Sequence, residues 1–228
     1  MLQMRLVALG PLLAVAALVA SCSGPANGQS TDPPTAAATV APTPVVPAGG
    51  TTLVVDASAT HASYHAHEQL VGRNLPSDAV GTSSAVSGAI VLNADGSIDS
   101  AQSQIGVDLS QLTSDESRRD NFIKGNTLQT SRFPMATFTP LDASGLPTPL
   151  PQSGQATFQL IGDLTVHGVS RPVTWQVTAQ FDPASVTGDA TTDVNISDFG
   201  MTPPKAGPVL SIQDGLTLEL AFKAARQA

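Results

Sequence analysis

Gln155-Ala156-Thr157-Phe158-Gln159-Leu160-Ile161-Gly162-Asp163-Leu164-Thr165-Val166-His167 decides how the chain is read. Its even positions carry Ala156, Phe158, Leu160, Gly162, Leu164 and Val166, and its odd positions are polar except for Ile161. Period two over such a length is a β-strand with one apolar and one wetted face. Val173, Trp175, Val177, Ala179 and Phe181 then alternate against Thr174, Gln176, Thr178 and Gln180, and Gly168–Pro172 supplies the turn, so the two runs predict a hairpin.

The same alternation recurs outward from this hairpin. Leu216, Leu218, Leu220 and Phe222 form an apolar face near the C-terminus. Val86, Gly88, Ile90 and Leu92 form another, followed by an Asn93–Gly96 turn and by Ile105, Val107 and Leu109. Further strands near Leu53–Asp56, His61–Glu68, Ala136–Leu141 and Asp189–Asp198 bring the total to roughly eight or nine. One segment departs from the pattern. Thr113-Ser114-Asp115-Glu116 has the form of a capping box and Gly125 stands at a C-cap position, which predicts a short helix over Ser114–Lys124 whose Phe122 and Ile123 close one end of the fold.

An all-β chain of one-face-polar strands is either a sandwich or a closed barrel, and periodicity does not choose between them. Small residues share the apolar faces: Ala62 and Ala66 flank Tyr64, and Gly88, Ala156 and Gly162 lie on other strands. They either leave volume inside a barrel or match bulky neighbours in a filled core.

The N-terminal part has a different character. Arg5 followed by the apolar run Leu6–Ala20 and by Ser21 has the three-part form of an export signal, and at about 15 residues the run falls short of the ~20 needed to span a bilayer. Cys22, the only cysteine, closes Leu18-Val19-Ala20-Ser21-Cys22, which resembles the lipobox of bacterial lipoproteins. Residues 1–21 are therefore expected to be a lipoprotein signal peptide and Cys22 the site of lipid attachment, anchoring the protein to the extracytoplasmic face of the membrane in the cell envelope. Residues 22–50 hold Pro25, Pro33, Pro34, Pro42, Pro44 and Pro47 with almost no charge, the composition of a disordered tether. Residues 51–228 remain for one folded domain.

The net charge of −8 and the lack of a basic cluster beyond Arg118-Arg119 argue against nucleic acid as a partner. His61, His65 and His67 share a strand face opposite to Ala62, Tyr64 and Ala66, with only Glu68, of the wrong parity, beside them, so they are expected in solvent without a metal. His167 is expected to fix a turn by hydrogen bonding. With no nucleophile elbow, zinc-protease motif or phosphate loop, the chain is not expected to be an enzyme and needs no cofactor.

The run Gly162-Asp163-Leu164-Thr165-Val166-His167-Gly168-Val169-Ser170-Arg171-Pro172-Val173 resembles the signature of the YceI-like family of lipid- and polyisoprenoid-binding proteins. Arg119-Asp120, Phe133-Pro134, Thr137-Phe138 and Asp198-Phe199-Gly200 fall in that family's order. Ala59-Thr60 and Glu68 stand where the family usually has a His-Ser pair and a later histidine. The resemblance implies an extended lipocalin-like antiparallel eight-stranded barrel with a short helix, holding a long-chain isoprenoid or similar amphiphile as ligand. The wall residues expected from parity are Ala62, Tyr64, Ala66, Phe158, Leu160, Leu164, Val166, Trp175 and Val177. A second reading is an envelope stress-response or interaction module that acts through the barrel surface without a required ligand.

Overall fold

The computed structural model describes residues 48–70, 77–203 and 209–227. The expected signal peptide, Cys22 and nearly all of the tether lie outside the described residues. A ring of antiparallel strands organises the rest: β1 (Thr51–Val55), β4 (Val86–Leu92), β5 (Gln104–Asp108), β7 (Met135–Ser144), β8 (Gly154–Val166), β9 (Val169–Phe181), β10 (Ser185–Asn195) and β11 (Val209–Gln227). β11 pairs with both β10 and β1, which closes an eight-stranded barrel. Closure leaves the ring without an exposed edge and settles the choice between barrel and sandwich.

Three further strands, β2 (His61–Leu70), β3 (Ser77–Ser83) and β6 (Thr113–Ser114), lengthen the barrel at one end. β1 and β2 are one bent strand, interrupted by a 3-10 turn over Ala57–Ala59. Asp56 caps that turn by accepting from the Ser58 amide (3.1 Å) and hydroxyl (2.6 Å). Thr60, fully buried, ties the bend to β11: its hydroxyl accepts from the Lys223 amide at 3.1 Å and donates to the Lys223 carbonyl at 3.3 Å. β3 continues into β4 across a similar break, where the Ser83 hydroxyl donates to the Asp108 carbonyl at 2.9 Å. The bends turn eight long strands into eleven segments.

Two local expectations are corrected. The hairpin turn is His167-Gly168 alone, and Val169–Pro172 belong to β9, with Pro172 opposite Asp163. His167 (φ 52°) and Gly168 (φ 76°) are both left-handed, the geometry that matches a two-residue turn to twisted strands. The helix α1 is Ser117–Phe122 rather than Ser114–Lys124. Ser114 pairs with Gly81 in β6, and its amide and hydroxyl both donate to the Asp120 carboxylate, so the residue expected to begin the helix lies in a strand. Glu116 is the N-cap instead, accepting from the Arg118 amide at 3.1 Å. A π turn over Ile123–Thr127 follows, which places Gly125 inside the helical segment instead of beyond it.

Candidate functional site

The barrel encloses a cavity of about 940 Å³. All nine residues selected by strand parity lie on its wall, because inward positions alternate regularly along β2, β8 and β9. Trp175 meets Phe138 edge to face at 6.0 Å, and Phe138 in turn lies over Gly162, where a Cβ would come within 2.8 Å of its ring. Tyr64 lies over Gly81 in the same way, at 2.3 Å. The glycines thus let two aromatic rings approach the wall more closely than a side chain there would allow. The indole Nε1 of Trp175 is buried without a hydrogen-bond partner.

The two ends of the cavity differ in chemistry. One end carries the β4–β5 and β7–β8 connections, and here Ile98, Leu146 and Leu150 reach in from the loops. The opposite end carries the β8–β9 turn and the β5–β7 connection with α1. Here Phe122, Ile123 and Leu128 line the cavity beneath a rim of Asp115, Glu116, Arg118 and Arg119. Arg119 forms an ion pair with Asp115 through Nη1 and approaches the Ser114 hydroxyl at 3.5 Å. The Lys124 ammonium donates to the Ser110 carbonyl at 3.2 Å and fixes the π turn to the chain before β6. The cavity therefore has a floor of aliphatic side chains and a rim of charged ones.

The sequence landmarks converge at the rim end. The Phe133 ring packs on His167, with centroids 4.5 Å apart, and lies within 2.8 Å of where a Cβ on Gly168 would stand. Arg171 Nε donates to the Asp198 carbonyl at 2.8 Å. His167 thus fixes the turn by backbone conformation and ring packing; its buried Nε2 has no hydrogen-bond partner, contrary to the expected role. The outward histidines are also better partnered than the sequence indicated. His65 lies 3.3 Å from Glu219 of β11, and His67 meets Asp78 of β3, both across strands and so invisible to spacing along β2. Among the described residues there is no group of three or more His, Cys, Asp or Glu side chains able to hold a metal ion.

Parity selection missed wall residues on other strands and in the connections. Ile90, Ile105, Leu218, Leu220 and Phe222 carry the same alternation signal and were within reach of it. Leu146, Leu150, Leu128 and Met201 sit in connections, where no period marks an inward position.

A family model for the YceI-like domain matches residues 53–224. The chain belongs to the YceI-like family. Its fold is shared with a polyisoprenoid-binding domain from Saccharophagus degradans implicated in plant cell wall breakdown, at a TM-score of 0.59 and 13% identity over 77% of this chain and 98% of that one. BcnA of Burkholderia cenocepacia is similar at a TM-score of 0.54 and 18% identity, over 75% of this chain and 99% of the other. A UPF0312 protein of Pseudomonas putida strain GB-1 is 34% identical over 113 residues, 46% of this chain and 55% of the relative. The chain thus spans about half the length of that curated relative.

Proposed function

We propose that the protein holds a long-chain isoprenoid or similar amphiphilic lipid inside its barrel, in a carrier, storage or scavenging role. The observation that carries this reading is the apolar cavity of about 940 Å³. Filled with solvent, it would take on the order of thirty waters at ~30 Å³ each, packed against a wall that offers them few hydrogen bonds. An extended hydrocarbon fits the same space without that loss. About ten buried methylene groups contribute roughly 8 kcal/mol, which corresponds to micromolar binding before ordering costs. The charged rim and aliphatic floor orient the ligand, tail toward Leu146 and Leu150 and polar head at α1. Lipidated Cys22 would hold this barrel at the membrane that supplies the lipid. Family membership and the fold shared with a polyisoprenoid-binding domain support the same ligand class.

The test is native mass spectrometry of protein purified from its own membranes in mild detergent, with a Cys22→Ser form purified alongside. A retained apolar adduct is expected in both forms, and it should be lost when Ala62→Phe and Ala66→Leu fill the lumen. A protein that carries no adduct and takes up none from prenol-loaded vesicles would overturn the reading. Membrane fractionation checks the anchor separately: the Cys22→Ser form should leave the membrane pellet.

A further inference from the structure

We infer that Leu146 and Leu150 form a fixed stop that sets the length of chain the barrel accepts; the inference rests on the lipid-binding reading above. The segment Leu146-Pro147-Thr148-Pro149-Leu150-Pro151 crosses the end of the cavity opposite α1. Leu146 and Leu150 line the lumen and are half-buried, while Pro147, Thr148 and Pro149 between them are exposed. The two leucines therefore point a pair of branched side chains across the tunnel from a strip whose other residues face water. They pack against the driest part of the wall, around Val177 and Phe181.

A stop measures length only if it does not yield, and three observations make this one stiff. Each proline fixes its own φ near −65°, so three in six residues leave little backbone freedom. The Arg226 guanidinium donates to the Pro151 carbonyl at 2.6 Å, which ties the strip to β11. Thr148 sits so close to Gly96 of the β4–β5 connection that a Cβ there would come within 2.6 Å of its hydroxyl. The strip is braced from both sides of the barrel end. A tail entering from the α1 end stops against it, and a longer tail must leave methylene groups in water at the rim, losing ~0.8 kcal/mol for each one not buried. A shorter tail leaves the floor unfilled. Both penalties favour one length.

The test uses the full chain, stripped of endogenous lipid and offered an equimolar series of all-trans prenols that differ by single isoprene units, with bound species read by native mass spectrometry. The parent should show a peaked length distribution. Leu146→Ala with Leu150→Ala removes about six methylene-sized groups from the floor, and the peak should move up by roughly one isoprene unit. Leu150→Trp should move it down. Leu141→Ala, at an exposed leucine that does not line the cavity, should leave it in place. If the parent is selective and the floor variants keep its distribution, the leucines are not the stop and lipid binding stands without them. A parent that binds all lengths equally also overturns the stop. A parent that binds none overturns the lipid reading itself. Circular dichroism of each variant confirms that a lost peak is not lost fold.

Discussion

Gly162→Ala should destabilise the barrel although it adds a single methyl to a strand. At that position a Cβ would stand 2.3 Å from the Thr139 carbonyl oxygen and 2.8 Å from Cε2 and Cζ of Phe138. Neither obstacle moves freely: Thr139 belongs to the β7–β8 ladder, and Phe138 is 7% exposed and abuts Trp175. Overpacking of this kind costs about 1–3 kcal/mol. At ~2–4 °C per kcal/mol for a domain of this size, the melting temperature should fall by about 2–12 °C. Gly125→Ala is the matched control, since nothing lies within 4 Å of its Cβ and the glycine sits in a helical turn. That change should be neutral or stabilising by up to ~1 kcal/mol. Adding Phe138→Leu to Gly162→Ala should recover only part of the loss, because the carbonyl clash remains. Thermal unfolding by circular dichroism measures all four proteins. A Gly162→Ala protein that melts with the parent would refute the close approach of β7 to β8, and with it the close seating of the Phe138 ring on Gly162.

Two further outcomes are expected. Trp175 is the only tryptophan and lines the cavity, so its emission should shift to the red when lipid is stripped and return on refilling with a prenol; identical spectra of the filled and stripped forms would remove Trp175 from the contact surface. The carboxyl of Asp56 is held below its ordinary value of 3.8, first by the Ser58 hydroxyl, then by the Ser58 amide and, through charge, Lys223. The stability this contributes is present above the ordinary carboxylate value and is lost as the pH falls through the lowered one, so Asp56→Asn should flatten the acid limb of urea-unfolding stability below about pH 4 and leave its neutral limb parallel to the parent's.

Parity made the interior legible from sequence. β8 and β9 alternate over thirteen residues each, and their inward positions could be chosen without knowledge of their neighbours. What parity does not contain is how strands meet. β3 reads Ser-Asp-Ala-Val-Gly-Thr-Ser, too polar and small to show an apolar face, yet it pairs with β2 over seven residues and brings Ala79 to the cavity. The carboxylates beside His65 and His67 come from other strands. Ser114 falls within a capping-box pattern, but its pairing with Gly81 and its bonds to Asp120 come from residues that local spacing does not mark. The floor leucines were hidden for another reason: a proline-rich strip between strands reads as a loop, and loops carry no signal for which side chains turn inward.

The residues that make the family recognisable serve two ends: Leu164 and Val166 of the signature line the cavity, while others shape the backbone around it. Of the signature run, Gly162 permits a close strand approach, His167 and Gly168 make a two-residue turn, and Arg171 ties that turn to the segment before β11. Phe133, another landmark, packs on the same turn. These roles need specific residue types because backbone conformation and close contact admit few substitutes. The cavity wall needs only an apolar residue at each inward position, and many choices satisfy that. A signature of this kind therefore specifies the barrel strongly and its occupant weakly. Whatever distinguishes the ligand of one such barrel from that of another must lie in the shape of the lumen and in the residues at its two ends. In this chain those are Leu146 and Leu150 at the floor and the charge pair of Asp115 with Arg119 at the rim, which is why the floor variants discriminate between ligands where substitutions at Gly162, His167 or Gly168 would test folding.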